Sequence, residues 1–216
     1  MFKLWGRKMI HTDLFKYDCI PAAKPSDKLM IVLHGRGDSL KPFLKINEEL
    51  EVKNINFLLL NAPKKFQKGF SWYGEPPYLS HGVQSIRAKL LLLLEQLEEQ
   101  GWKSENIFIF GFSQGCLVGA DLALHYPKKL AGVIGVSGYF NFFSRWKNQL
   151  NSKNKNTPWL FTHGTKDKIL PIETTRFGVR KLQSAGLNVN WIELNKRHTF
   201  EQQEMPLIKK WLESHL

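Results

Sequence analysis

Residues 105–127 read ENIFIFGFSQGCLVGADLALHYP, and this stretch decides the fold. Its apolar run, ENIFIF, is typical of a strand that is buried on both faces of a parallel sheet. Gly111-Phe112-Ser113-Gln114-Gly115 follows, and the next residues, CLVGADLALHYP, have the spacing of a helix. The pattern predicts a strand, a tight turn and a helix, with the Ser113 hydroxyl projecting above the sheet edge from the turn.

The same alternation repeats along the rest of the chain. Further apolar runs, ended by glycine, proline or polar residues, lie at 28–35, 54–63, 130–138, 158–164 and 188–195, with a weaker edge-strand candidate at 14–20. Stretches with helical spacing lie at about 41–52, 82–100, 114–126, 172–185 and 201–215. This order predicts an α/β fold with right-handed crossovers: a single doubly wound, mostly parallel sheet with helices on both faces. The one irregular region, 139–157, is expected to be an exposed loop or a short helix.

Length and composition exclude several classes of protein. The chain has 216 residues, which favours a single domain over 1–216. The longest apolar run, Leu90 to Leu94, is far shorter than the ~20 residues that cross a bilayer. The first residues carry frequent charges and no secretory pattern, so a cytoplasmic protein is expected. Cys19 and Cys116 are expected to be free thiols, and no Cys/His cluster has the spacing of a metal site.

Ser113 needs a base and an acid before its hydroxyl can act as a nucleophile. In hydrolases with a serine on such a turn, the partners follow in the order serine, acid, histidine. Asp167 comes directly after the strand at 158–164 and is favoured over Asp121, which lies within the helix after Ser113. His198 follows the last strand and is favoured over the penultimate residue, His215.

A reaction at Ser113 also needs N–H donors for the negatively charged oxygen of a tetrahedral intermediate. One donor is predicted to be the backbone N–H of Gln114, the residue after the nucleophile. The other is predicted to be that of Arg36, which stands between two glycines in the turn after the first central strand. His34, 79 residues before Ser113, is expected to hold that turn by hydrogen bonding.

These positions together resemble the phospholipase/carboxylesterase family, which includes bacterial carboxylesterases and acyl-protein thioesterases. The resemblance rests on LHGRGDS, APKKFQKGFSWYG, IFGFSQGC and HGTKDKILP, with His198 closing the series. It implies an α/β-hydrolase fold, a triad of Ser113, Asp167 and His198, and cleavage of carboxylic esters or thioesters without a cofactor or metal. It also implies that the loop at 66–78 shapes the acyl pocket, with Trp72 as the pocket candidate; packing of the same aromatic residues in the core is the alternative.

The chain departs from the family pattern at three positions. Arg36 stands where relatives usually carry an aliphatic residue, Cys116 where a glycine is common, and Arg197 where a glycine often precedes the histidine. Cys116 is interpreted as a small core residue rather than a second nucleophile. Arg197 raises the question of how the loop before His198 can form without glycine.

The charge leaves two alternatives to this reading open. Lys and Arg number 31 against 19 Asp and Glu, a net charge of +12. One alternative is a lysophospholipase-like activity on anionic lipid, with peripheral contact to an anionic membrane, and the other is a non-catalytic protein that binds through its basic surface. The substrate is expected to be a small-molecule or lipid-like ester. No nucleic acid is expected, because no basic motif interleaved with aromatic residues is present.

Overall fold

A seven-stranded sheet is the centre of the computed structural model, which describes residues 10–74, 79–140, 150 and 152–216. The strands are β1 Tyr17–Ile20, β2 Leu29–Leu33, β3 Asn56–Leu60, β4 Lys64–Phe66, β5 Gly69–Ser71, β6 Ile107–Phe112, β7 Gly132–Val136, β8 Trp159–Gly164 and β9 Val189–Leu194. Their order in the sheet is β1-β3-β2-β6-β7-β8-β9; β1 pairs antiparallel with β3 and the other pairs are parallel. A separate hairpin consists of β4 and β5.

Helices cover both faces of this sheet. The described helices are α1 Ile46–Glu49, α2 Leu79–Glu99, α3 Gln114–His125, α4 Ser152–Lys155, α5 Ile172–Ser184 and α6 Met205–Glu213. Core residues of α2, α3 and α5 pack on one face, and those of α1 and α6 pack on the other. The predicted mostly parallel sheet with helices on both faces is therefore confirmed.

The central strands are apolar without interruption because both of their faces are buried. Ile31 and Ile109 belong to the cluster under α2, α3 and α5, whereas Val32 and Phe110, one residue further along, belong to the cluster under α1 and α6. Successive strand residues point to opposite faces, so a run of alternating polar residues would place polar groups in one of the two cores.

The structure differs from the sequence-based expectation at two places before α2. The helix expected at 41–52 is a 3₁₀ turn, Lys41–Phe43, followed by the four residues of α1, and the chain leaves α1 through Glu51 with φ of 50°. The hairpin β4–β5 was not predicted. Its strands have three residues each and two exposed lysines, which is too short and too polar for a strand signal.

The hairpin positions the turn that contains Arg36. Gly37 N–H donates to Phe70 O and Phe70 N–H donates to Asp38 O, each at 2.8 Å. A Cβ on Gly69 would lie 2.3 Å from Gly37 O, so only glycine permits this approach.

Two predicted regions lie partly outside the described residues. Of the irregular region at 139–157, residues 141–149 and 151 fall outside, while 152–155 forms the short helix α4. Of the loop at 66–78, residues 75–78 fall outside. None of the described helices is both long and apolar enough to cross a membrane.

Candidate active site

Ser113 lies on the turn between β6 and α3 in a conformation that few non-glycine residues adopt. Its φ is 51° and its ψ is −111°, and its N–H donates to Val136 O at 2.9 Å. The glycines two positions away permit the turn: a Cβ on Gly111 would lie 2.4 Å from Gly115 O, and one on Gly115 would lie 2.2 Å from Leu33 O. The G-x-S-x-G spacing is thus required by the close approach of α3 to β2 and β6.

His198 joins Ser113 to Asp167. Its Nε2 lies 2.8 Å from Ser113 Oγ, and its Nδ1 lies 2.7 Å from Asp167 Oδ2. A carboxylate can only accept, so Nδ1 carries the proton and Nε2 of the neutral ring accepts from the Ser113 hydroxyl. The three residues, distant in sequence, are in one hydrogen-bonded line at the carboxyl ends of β6, β8 and β9.

Asp167 is held as a carboxylate by a set of N–H donors. Burial by itself raises the pKa of this carboxyl group, but hydrogen bonds from the Leu170 N–H and from His198 outweigh it, and the pKa lies below its ordinary value. Oδ1 accepts from the N–H groups of Ile169 and Leu170, both at 2.9 Å. The side chain can therefore orient His198 and remain ionised beside it.

His163 is a contact of Asp167 that the sequence reasoning missed. It is fully buried, and its Nε2 lies 2.9 Å from Leu170 O and 3.2 Å from Asp167 Oδ2. Burial lowers its pKa, so the ring is neutral and donates from Nε2. The signal that could have found it is its place on β8, four residues before Asp167.

The two residues predicted to supply the oxyanion donors, Gln114 and Arg36, line the cavity that contains Ser113. Gln114 is the first residue of α3, and the N–H of a first helical residue has no acceptor within its helix. Its side-chain amide is engaged elsewhere, since Oε1 accepts from Trp72 N–H at 2.9 Å and Nε2 donates to Tyr73 O at 3.2 Å. Arg36 lines the same cavity as Ser113 and Gln114, and its guanidinium carbon lies 4.1 Å from the centre of the Phe66 ring.

Trp72 is not a pocket residue, and the prediction that it is must be corrected. It is 1% exposed, its indole N–H donates to His34 O at 2.8 Å, and it does not line the cavity at Ser113. Gln114 Oε1 accepts from the Ser71 hydroxyl and from the Trp72 N–H, and the indole ring packs in the core with its centre 5.3 Å from that of the His34 ring. Its neighbour Tyr73 lines the cavity instead, with its hydroxyl 2.6 Å from that of Tyr139.

A cavity of about 550 Å³ opens at Ser113 Oγ. Its walls are mainly aliphatic and aromatic, and among the described residues Arg36 is the one permanently charged group that lines it. The lining residues are Arg36, Tyr73, Gly74, Leu79, Ser113, Gln114, Tyr139, Ile169, Leu170 and His198. Such a cavity can take an apolar group beside a nucleophile.

The alternative acid and base have other contacts. Asp121 Oδ2 accepts from Arg87 at 3.0 Å, which joins α3 to α2. His215 packs on the Trp211 ring of α6, with the ring centres 4.3 Å apart. His34 holds its turn as predicted: Ala62 N–H donates to Nε2 at 3.1 Å, and Nδ1 lies 2.6 Å from Gly35 O.

The departures at 116 and 197 have structural explanations. Both Cys19 and Cys116 are free thiols, and burial raises the pKa of Cys116 to about 12, which fits a core residue rather than a nucleophile. Arg197 has no positive φ, so the loop before His198 forms without a glycine. Within the described part of the chain, no group of three or more His, Cys, Asp or Glu side chains could hold a metal ion.

Comparisons with known proteins agree with the fold and identify the family. A family model described as phospholipase/carboxylesterase matches residues 17–216. Acyl-protein thioesterase 1 of Yarrowia lipolytica is 27% identical over 91% of this chain and 96% of its own length. Acyl-protein thioesterase 1 of Schizosaccharomyces pombe is 32% identical over 66% of this chain and 69% of its own. The crystal structure of Arabidopsis thaliana SOBER1 superimposes with a TM-score of 0.81 at 26% identity, covering 87% of this chain and 98% of that one.

Proposed function

The chain belongs to the phospholipase/carboxylesterase family of α/β-hydrolases, and from that premise we propose that Ser113, His198 and Asp167 are the catalytic residues of a serine hydrolase that cleaves carboxylic esters or thioesters. The observation that carries the proposal is the pair of hydrogen bonds at 2.8 and 2.7 Å, from Ser113 to His198 and from His198 to Asp167, at the mouth of an apolar cavity.

In the acylation half of the reaction, Ser113 Oγ attacks the carbonyl carbon of the substrate while His198 Nε2 takes its proton. Asp167 stabilises the imidazolium ring that forms. The N–H groups of Gln114 and Arg36 donate to the oxyanion of the tetrahedral intermediate. His198 then returns the proton to the departing alcohol or thiol, and the acyl group remains on Ser113.

In the deacylation half, water replaces the departed alcohol or thiol. His198 Nε2 takes a proton from this water as it attacks the acyl carbon, and then protonates Ser113 Oγ as the carboxylic acid leaves. A thiolate leaves with less help from an acid than an alkoxide does, because a thiol has a pKa of about 8.5. The same arrangement therefore serves both ester and thioester substrates.

A fluorophosphonate probe tests the assignment, because it reacts only with a hydroxyl that a base has activated. The wild type is expected to be labelled at Ser113 and to hydrolyse p-nitrophenyl acyl esters, and Ser113→Ala is expected to do neither. The kcat/KM values for a series of p-nitrophenyl esters of increasing acyl chain length then show which acyl groups the cavity accepts. Labelling of Ser113→Ala at the wild-type rate would show that the nucleophile lies elsewhere.

The basic surface bears on which substrates reach this site. We propose that the net charge of +12 attracts anionic esters or esters held on an anionic membrane, whereas neutral esters arrive without steering. For a matched pair of neutral and anionic esters, kcat/KM is expected to fall with salt for the anionic ester only, since the screening length is ~10 Å at 0.1 M salt. Equal salt slopes for the two esters would refute steering.

Two wider predictions remain proposals. The organisation of residues 1–216 as one domain is supported by the two core clusters, which pack on opposite faces of the same sheet. A cytoplasmic location rests on the sequence alone.

A further inference from the structure

A buried ion pair that the proposed reaction does not use lies under the loop that carries His198. Lys196 Nζ lies 3.0 Å from Glu204 Oε2, and neither side chain is exposed at all. Removing two charges from water lowers stability unless each group recovers its full set of hydrogen bonds. Burial also lowers the pKa of Lys196, against the raising effect of Glu204.

Both charged groups are fully hydrogen bonded. An ammonium group has three donors, and besides Glu204 the Lys196 Nζ donates to Ser137 Oγ at 2.7 Å and to Thr199 O at 2.6 Å. Glu204 accepts from the Glu201 N–H at 3.0 Å and from the Thr162 hydroxyl. The pair therefore has one well-defined arrangement.

The contacts of Lys196 support the loop that carries His198, the proposed base. Lys196 and Thr199 flank His198, so the Lys196 side chain bridges the two ends of this loop. The Lys196 carbonyl accepts from Lys166 N–H at 3.1 Å, and Lys166 is the residue before Asp167. One end of the loop is thus fastened to the segment of Asp167.

The remaining contacts reach the segments of the other two residues. Ser137 follows Val136, whose carbonyl accepts the N–H of Ser113 at 2.9 Å. Thr162 lies on β8, five residues before Asp167. The ion pair therefore connects the three segments that carry Ser113, Asp167 and His198.

We propose that Lys196 and Glu204 are positioning residues that hold the His198 imidazole within hydrogen-bond reach of Ser113 Oγ. This inference rests on the proposed function. Neither residue lines the cavity at Ser113, so the pair acts on the rate of the chemical step and not on substrate binding. Its value to the enzyme is geometric, because a displacement of ~1 Å can lower a catalysed rate about 10²-fold.

The test is the double variant Lys196→Met/Glu204→Gln. It leaves no unpaired charge in the core, and the Gln amide can still bond Thr162. We expect kcat to fall about 10–100-fold with KM within about twofold of wild type, and the rate of fluorophosphonate labelling to fall by the same factor. Thermal unfolding and near-UV circular dichroism establish that the variant is folded at the assay temperature.

A matched control is Arg87→Met/Asp121→Asn, which removes the ion pair between α2 and α3. It is expected to unfold at a lower temperature and to keep the wild-type kcat and labelling rate. If kcat falls as much in this control as in the test variant, then the loss of any ion pair lowers kcat, and the proposal would be overturned.

Ser137→Ala is the second variant and keeps the inference testable if the double variant does not fold. It removes one of the three contacts of Lys196 without changing a charge, and we expect a several-fold lower kcat at unchanged KM. Wild-type kcat and labelling in this variant, or in the folded double variant, would overturn the proposal while the proposed function stands. A wild type that neither hydrolyses esters nor is labelled at Ser113 would instead refute the proposed function.

Discussion

Replacing Ser113 by glycine should abolish activity and yet make the protein more stable than replacing it by alanine. The φ of 51° and ψ of −111° at Ser113 lie close to the conformation that glycine adopts at the second position of a type II′ turn. A residue with a Cβ is strained there, whereas glycine is not. The proposed nucleophile thus occupies a position where the backbone conformation favours glycine, which has no side chain that could react.

The size of the effect follows from two opposing contributions. Holding a residue with a Cβ in this region of φ and ψ lowers the free energy of unfolding by about 1–3 kcal/mol. Glycine avoids that strain, but the greater conformational freedom of its unfolded chain lowers the free energy of unfolding by about 0.5–1 kcal/mol. Ser113→Ala and Ser113→Gly both lose the hydrogen bond to His198, so that loss cancels between them. At the central values of the two contributions, about 2 and about 0.7 kcal/mol, the glycine variant should be more stable by about 1.3 kcal/mol. At about 2–4 °C for each kcal/mol in a chain of this size, its Tm should be higher by roughly 3–5 °C.

The assay is thermal unfolding of the two variants side by side, followed by circular dichroism under one buffer condition. Both variants should show no ester hydrolysis and no fluorophosphonate labelling. Near-UV spectra that match the wild type would show that neither variant has rearranged its core. A Tm for Ser113→Gly at or below that of Ser113→Ala would refute the claim that the turn stores strain at Ser113.

The other predictions concern the surroundings of the triad. Asp167→Asn should lower kcat/KM by at least ~10² more than Asp121→Asn, because only Asp167 orients the imidazole; equal small losses would place the acid elsewhere. His163→Leu removes the N–H that donates to Leu170 O, so the segment whose Ile169 and Leu170 N–H groups hold the Asp167 carboxylate should be less well ordered and kcat should fall several-fold; an unchanged kcat would argue against a supporting role for His163. Gly115→Ala places a Cβ 2.2 Å from Leu33 O and should lower stability by about 1–3 kcal/mol, measured by urea denaturation; an unchanged midpoint would contradict this packing.

The sequence predicted those parts of the molecule whose physical cause is local. The strands β2, β6, β7 and β8 are buried on both faces and have largely apolar sequences, which is a signal within a few residues of chain. The turn at Ser113 could be recognised because close backbone approach requires glycine at 111 and 115. The order of Ser113, Asp167 and His198, each of which follows a recognisable strand, selected them over Asp121 and His215 as the proposed triad, and the structure places them within hydrogen-bond distance of one another.

Trp72 was predicted wrongly for a reason that lies in tertiary contacts. Trp72 and Tyr73 are adjacent aromatic residues, and nothing local decides which of them points into the cavity. The choice is made by Gln114, which accepts from the Trp72 N–H, and by His34, whose carbonyl accepts from the indole. Both partners are far away in sequence.

The fold class, the serine turn and the order of the proposed triad residues were therefore determined by the sequence alone, because they depend on burial patterns and on glycine spacing along short segments. The hairpin that holds the Arg36 turn, the contact of His163 with Asp167 and the buried Lys196–Glu204 pair were decided only by the tertiary structure. Lysine and glutamate are normally exposed, and their burial here depends on partners on other strands and loops. No periodicity or local motif records such partners, because the hydrogen bonds that make their burial tolerable exist only when the sheet has assembled.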